Sequence, residues 1–227
     1  FTVDGAPQAP VALNGSGQAT FSTAALVPGG RTIGASYSGD VNYVASNDSL
    51  TQTVNQIATT TALASSANPS SVGDSVTFTA TVTANSGGGT PTGTVTFSVD
   101  GTPQAPVALN GSGQASFSTA GLAIGPRSIG ASYSGDTNYV ASNDALTQTV
   151  NQIGTTVSLA SSQNPSSLGD SVTFTATVAA TTGGSTPTGT VTFSVDGTPQ
   201  APVALNGSGQ ASFSTAALAP GAHAIAA

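Results

Sequence analysis

The chain has 227 residues, with nine acids, all Asp, against two bases, Arg31 and Arg127, for a formal net charge of -7. Lys, Glu and Cys are absent, which removes disulfides, thiolate metal sites and most groups that titrate or attack near neutral pH. With only two cations to displace counterions, nucleic acid and anionic lipid are excluded as partners, and no run approaches the roughly 18 apolar residues that would span a bilayer.

The opening segment, FTVDGAPQAPVALNGSGQATFSTAA from Phe1, returns from Phe97 and again from Phe193, a period of 96 residues. Solenoid repeats of about 20 to 50 residues cannot bury a core alone, whereas a unit of about 100 residues can. An array of small domains follows: residues 1–57 as the C-terminal part of a repeat, 58–153 as a complete repeat and 154–227 as the N-terminal part of another. Apolar residues alternate with Thr and Ser rather than recurring at the helical period, so the fold class is all-β.

Taken in chain order, the complete repeat starts with a strand over Thr59–Ser65, and Asn68-Pro69 with Gly73-Asp74 marks the turn after it. Residues 75–84 alternate cleanly, placing Val76, Phe78, Ala80 and Val82 on a core face and four threonines on a wet one. A Gly/Thr/Pro loop from Asn85 leads to a third strand in which Val95, Phe97 and Val99 point inward before an Asp100-Gly101 turn. Pro103 and Pro106 make the next segment, around Val107 and Leu109, an edge. Asn110-Gly111 is a hairpin signal into Gln114–Thr119, with Ala115 and Phe117 inward, and Leu122 is expected to plug the base. A strand over 127–133 presents Ile129, Ala131 and Tyr133 on one face, and a last strand is expected from about Ala145 to Asn151. Seven short antiparallel strands with turn signals between them predict an immunoglobulin-like β-sandwich.

The segments GTVTFSVDG from Gly93, NGSGQASFSTAGL from Asn110 and ASYSGDTNYVAS from Ala131 resemble the bacterial Ig-like domain repeats of secreted and surface-anchored proteins. The resemblance covers the whole chain. It implies an extracellular stalk, an adhesin segment or an accessory module of a secreted enzyme, and it brings no catalytic residues. Consecutive repeats are joined only by VNQIATT from Val54 and VNQIGTT from Val150, without a Pro/Gly/Ser linker, so a semi-rigid end-to-end array is expected. Residues 58–131 and 154–227 differ at 15 of 74 positions, mostly in predicted loops or on polar faces. A Ser/Thr/Gly surface with two bases offers few sites to trypsin-like proteases, which suits an extracellular or cell-surface location.

The primary functional expectation is a structural spacer whose partners are its neighbouring repeats, without catalysis and without a cofactor. A surface glycan or host protein is the partner if the tip loops are adhesive. The single histidine, His223, stands where the other copies have Arg31 and Arg127 and reads as a surface strand residue. The acids are the best candidates for a binding site. Asp74 and Asp100 fall at the bottom of the middle sandwich, and Asp136, Asn138, Asn143 and Asp144 at its top, where Asp4 of the first copy could approach. A calcium junction over Asp4, Asp136, Asn138 and Asp144 is one reading of those oxygens; ordinary Asp-Gly and Gly-Asp turn chemistry is the preferred one. Tyr139, with Tyr43, reads as a cap or joint residue rather than a sugar-stacking platform. Asn14, Asn47 and Asn110 match the N-glycosylation triplet, and in the hairpin copies the turn already explains Asn-Gly.

Overall fold

The computed structural model describes residues 1–227, and they form strands and turns without a helix. The chain divides into two compact units, one of residues 1–68, 75–119 and 126–149 and the other of residues 69–74, 120–125 and 150–227.

The first unit contains most of the middle sandwich. One sheet has the order Gln114–Thr119, Val76–Ala84, Thr59–Ser65, antiparallel throughout. The other runs Val107–Ala108, Thr94–Val99, Gly125–Tyr133, Ser142–Asn151, with the proline-flanked Val107–Ala108 strand at its edge. The period-2 pattern becomes the core directly: Val76, Phe78 and Ala80 are wholly buried, as are Val95, Phe97 and Ile129 from the facing sheet. The Phe117 ring joins the layers, with its centroid 6.5 Å from that of Phe78 and 5.8 Å from that of Phe97. On the opposite face Thr77 and Thr79 pair their hydroxyls with Ser118 and Ser116 at 2.8 and 3.1 Å, so the wet side of the sheet carries cross-strand hydrogen bonds.

Asp100 and Gly101 form a two-residue hairpin between Val99 and Thr102, and both have left-handed φ, +49° and +80°, which a type I′ turn requires. Asp is suited to the strained first position because its carboxylate is anchored. Oδ1 accepts the Ser128 N–H at 2.9 Å and Oδ2 meets Arg127 at 3.2 Å.

Two details depart from the sequence reading. The last strand begins at Ser142 rather than near Ala145, and the turn after Thr59–Ser65 contains a further short strand, Ser70–Ser71, running parallel to Val150 and Asn151. Both additions are polar segments whose hydrogen bonds come from tertiary partners, which apolar periodicity does not report.

Residues 1–57 contribute a four-stranded sheet in the order Ala6–Pro7, Thr2–Val3, Gly29–Tyr37, Ser46–Val54. Residues 11–23, counterparts of the Val107–Ala108 and Gln114–Thr119 strands, are not strands here. In the middle copy Gln114–Thr119 pairs with Val76–Ala84, a strand that has no counterpart within residues 1–57. Phe1 and Phe21 still stack at 5.5 Å.

In the second unit the last copy forms a sheet of Thr155–Ser161, Val172–Ala180 and Gln210–Thr215, with shorter ladders facing it. Its core is Val172, Phe174, Ala176, Val191, Phe193 and Ala211.

Because Phe78 is wholly buried between the layers, Phe78→Ala should cost about 3–5 kcal/mol in denaturant unfolding, the range for truncating a core Phe. Thr79→Ala on the wet face removes one cross-strand hydrogen bond and should cost about 1 kcal/mol. Equal costs at the two positions would contradict the assignment of faces.

Candidate functional site

Two constructions concentrate the polar side chains of the middle repeat: a loop at the sandwich tip and the strand that closes the sandwich. The loop is the Tyr-Ser-Gly-Asp segment. Gly135 has φ +76°, and a Cβ there would lie 2.9 Å from the Tyr139 carbonyl oxygen, so the turn admits only glycine. Asp136 then folds the loop around its own carboxylate. Oδ1 accepts the N–H groups of Asn138 and Tyr139 at 2.8 and 2.9 Å, and Oδ2 accepts the N–H and the hydroxyl of Thr92. Burial pushes the Asp136 carboxyl up, but the Thr92 hydroxyl and these N–H groups outweigh it and hold it below the ordinary carboxylate range. The buried Tyr133 hydroxyl donates to the Thr92 carbonyl at 2.6 Å, and burial first, then the Asp136 charge, push its pKa up to about 12.

The same loop receives the segment that joins the first copy to the middle one. Ile57 donates its N–H to the Asn138 carbonyl at 2.8 Å and accepts the Val140 N–H at 2.9 Å, forming a parallel bridge opposite Tyr139. Gln56 Nε2 donates to the Asp136 carbonyl at 2.8 Å. Tyr139 is buried under this bridge, and its hydroxyl donates to the Gly89 carbonyl at 2.6 Å. It therefore caps the sandwich and packs the joint. Tyr43, its counterpart in the first copy, is 69% exposed.

The closing strand, Ser142–Asn151, lies against Thr59–Ser65 of the other sheet and is held there by side chains. Gln148 is wholly buried. Its Oε1 accepts the Ser65 hydroxyl at 2.7 Å, and its Nε2 donates to the Ala67 carbonyl at 2.8 Å. Asn68 donates to the Thr147 carbonyl at 2.8 Å and accepts the Thr149 N–H at 2.9 Å, imitating a strand pairing. The Asp144 carboxylate accepts the Leu63 N–H at 2.8 Å, and Ser142 shares hydrogen bonds with Thr59 and Thr61. Every buried side-chain N or O atom has a partner.

The four residues of the calcium reading are not brought together. Asp4 accepts from Arg31 at 3.2 Å and from the Thr32 N–H at 2.9 Å, Asp136 and Asp144 are engaged as described, and Asn138 contributes its backbone to the loop and the linker. No three Asp or His side chains cluster at any point. Asp74 accepts the Ser71 N–H and Asn110 accepts the N–H groups of Ser112 and Gln114, which is turn chemistry, and Asn14 repeats the Asn110 pattern. Sequence reasoning missed Gln148, Asn68 and Thr92, because an amide or hydroxyl in a Ser/Thr-rich strand carries no periodic signal. The one available cue was that Asn68 and Gln148 recur as Asn164 and Gln52.

These features define a tandem β-sandwich protein whose polar residues serve closure and joining. The model of the bacterial Ig-like domain (group 3) family matches residues 63–151 and 159–227, well over half of the chain, and the protein belongs to that family. Domains of this family are typically non-catalytic, structural in kind and commonly extracellular. No curated protein matches the chain. Among solved structures, the Clostridium thermocellum CbhA fibronectin(III)-like modules align at 17% identity over 69% of this chain and 80% of that one, with a TM-score of 0.27, too loose a likeness to bear on fold or function.

His223 gives the last copy a titratable group near neutral pH in the place where the other copies have Arg31 and Arg127. Its Nδ1 lies 2.7 Å from Asp196, in the place of the Arg31–Asp4 and Arg127–Asp100 pairs, and its Nε2 lies 2.8 Å from the Ala219 carbonyl. The Asp196 carboxylate and then the Ala219 carbonyl raise the imidazole pKa above 6.5, so its contribution to stability is complete below pH 6.5 and is lost as pH rises through the folded value. The single imidazole resonance should titrate above 6.5 by NMR, and the apparent melting temperature of the last copy should fall between pH 6 and 8 in the native sequence but not in His223→Arg. A titration at or below 6.5 would contradict the pairing.

Proposed function

We propose that the chain is a structural spacer of a secreted or cell-surface bacterial protein, an array that holds another domain at a distance and performs no catalysis itself. The observation that carries this reading is the joint at Gln56-Ile57. A connection of a few residues, hydrogen-bonded through its own backbone to the 136–140 loop, spends polar groups on fixing the succession of repeats rather than on exposing a ligand site. Family membership supports a structural role, and the shortage of general bases and nucleophiles argues in the same direction. The carbohydrate-binding alternative needs an exposed aromatic platform at the tip. In the complete repeat the tip aromatic, Tyr139, is 6% exposed and its hydroxyl is occupied, so the spacer reading is favoured.

A spacer lengthens in proportion to its repeats. In small-angle scattering of chains with two, three and four complete repeats, the maximum dimension should rise by about 40 Å per repeat, from strands of about eight residues at ~3.4 Å each plus loops at both ends. Replacing Gln56 and Ile57 by glycine should shorten the increment towards square-root growth. Square-root growth in the native sequence would overturn the proposal.

A further inference from the structure

The first and last strands of the middle repeat run parallel to each other and are tied together along their whole length. Ile57 bridges Tyr139, the Thr59 hydroxyl donates to the Val140 carbonyl at 2.7 Å, and Leu63 donates its N–H to Asp144 at 2.8 Å. Further along, Ser65 meets Gln148, Asn68 meets Thr147 and Thr149, and Ser70–Ser71 pairs with Val150 and Asn151. The Val72 N–H ends the series on the Asn151 carbonyl at 2.9 Å. The two segments keep step throughout, with side-chain partners separated in sequence by 79 to 83 residues.

This alignment fixes how the pair responds to a pull. The chain enters it at Ala58 and leaves it at Asn151, opposite ends of a parallel arrangement, so tension along the array draws the two strands past each other along their axes. Every contact between them is loaded at once and all must fail within one small slip. An antiparallel pair would place entry and exit at the same end, and its contacts would open in turn. Water does not relieve the load, because Thr61, Ser70, Gln148 and Val150 are buried, and a hydrogen bond broken there finds no solvent replacement. A slip of one residue would also turn Gln148 away from Ser65 and bring Thr147 and Thr149 inward.

We infer that the repeat bears tension along the array, with residues 59–72 and 140–151 as its mechanical clamp. This role rests on the spacer reading, since a repeat transmits tension only when it is held at both ends. It goes beyond closure of the sandwich. Closure requires that the contacts exist, whereas load bearing requires that the direction of pull shears them together.

The test is forced unfolding of the chain 1–227 in optical tweezers. Because the chain has no cysteine, pairs introduced at exposed positions give unique attachment points. Ala58→Cys with Gln152→Cys holds the complete repeat at opposite ends of the clamp, and Ala58→Cys with Asn143→Cys holds the same two strands at their shared end. The first pair should rupture at a several-fold higher force than the second. At a fixed force on the first pair, Asp144→Ala should raise the unfolding rate about five-fold, the rate equivalent of one hydrogen bond of ~1 kcal/mol. Thr79→Ala should leave that rate unchanged, because its contact with Ser116 lies off the load path. Equal rupture forces for the two attachment pairs, or a rate as sensitive to Thr79→Ala as to Asp144→Ala, would remove the clamp. Either result would leave the spacer reading standing, since that reading is tested by the scattering increment per repeat.

Discussion

Closure of a cysteine-free sandwich is the constraint on which the repeat depends. Its two sheets share an apolar interior, but their edges meet where Ser142–Asn151 lies against Thr59–Ser65, and there the contact is polar. Gln148 sits at its centre, wholly buried, with Ser65 and Ala67 as partners. A buried amide without partners would cost several kcal/mol, so the arrangement is stable only when every member is in place. That requirement makes the closing strand specific. It accepts one register and one partner surface, where a purely apolar edge would tolerate slippage.

The scarcity of charge has a parallel consequence. With nine acids and two bases, the chain uses carboxylates as backbone acceptors, each fixing a turn. Asp100 anchors a left-handed hairpin through Ser128 and Arg127, Asp136 folds the tip loop through four hydrogen bonds, and Asp144 takes an edge N–H that water would otherwise satisfy. The tip loop then serves the array. The backbone that Asp136 organises presents the Asn138 carbonyl and the Val140 N–H to Ile57, so the geometry of one turn reaches the joint between successive copies. Substitution at Asp136 is thus coupled to inter-repeat geometry as well as to local stability.

Much of this was legible in the sequence. The alternation of Val76, Phe78, Ala80 and Val82 against threonines located a strand and its buried face, Pro103 and Pro106 located an edge, and the 96-residue period located the copies. Those signals are periodic or conformational, and both survive in one dimension. Ser70–Ser71, the early start of the last strand at Ser142 and the buried role of Gln148 depend instead on tertiary partners about 80 residues away. No local pattern distinguishes a buried Gln from an exposed one in a strand of Thr and Gln. The acids drew attention as possible metal ligands because their lone pairs are visible in the sequence, whereas the N–H groups that occupy those lone pairs are visible only in the fold.

The central claim, that polar side chains close the sandwich, is tested most directly by a double-mutant cycle on Ser65 and Gln148, with Ser65→Ala, Gln148→Leu and the pair compared by denaturant unfolding. A hydrogen bond of this buried kind predicts a coupling energy of about 1 kcal/mol, with Gln148→Leu alone destabilising by more because the Ala67 carbonyl also loses its partner. A coupling of zero, together with a Gln148→Leu variant at least as stable as the native chain, would mean that shape and apolar burial close the sandwich and that the polar network does not.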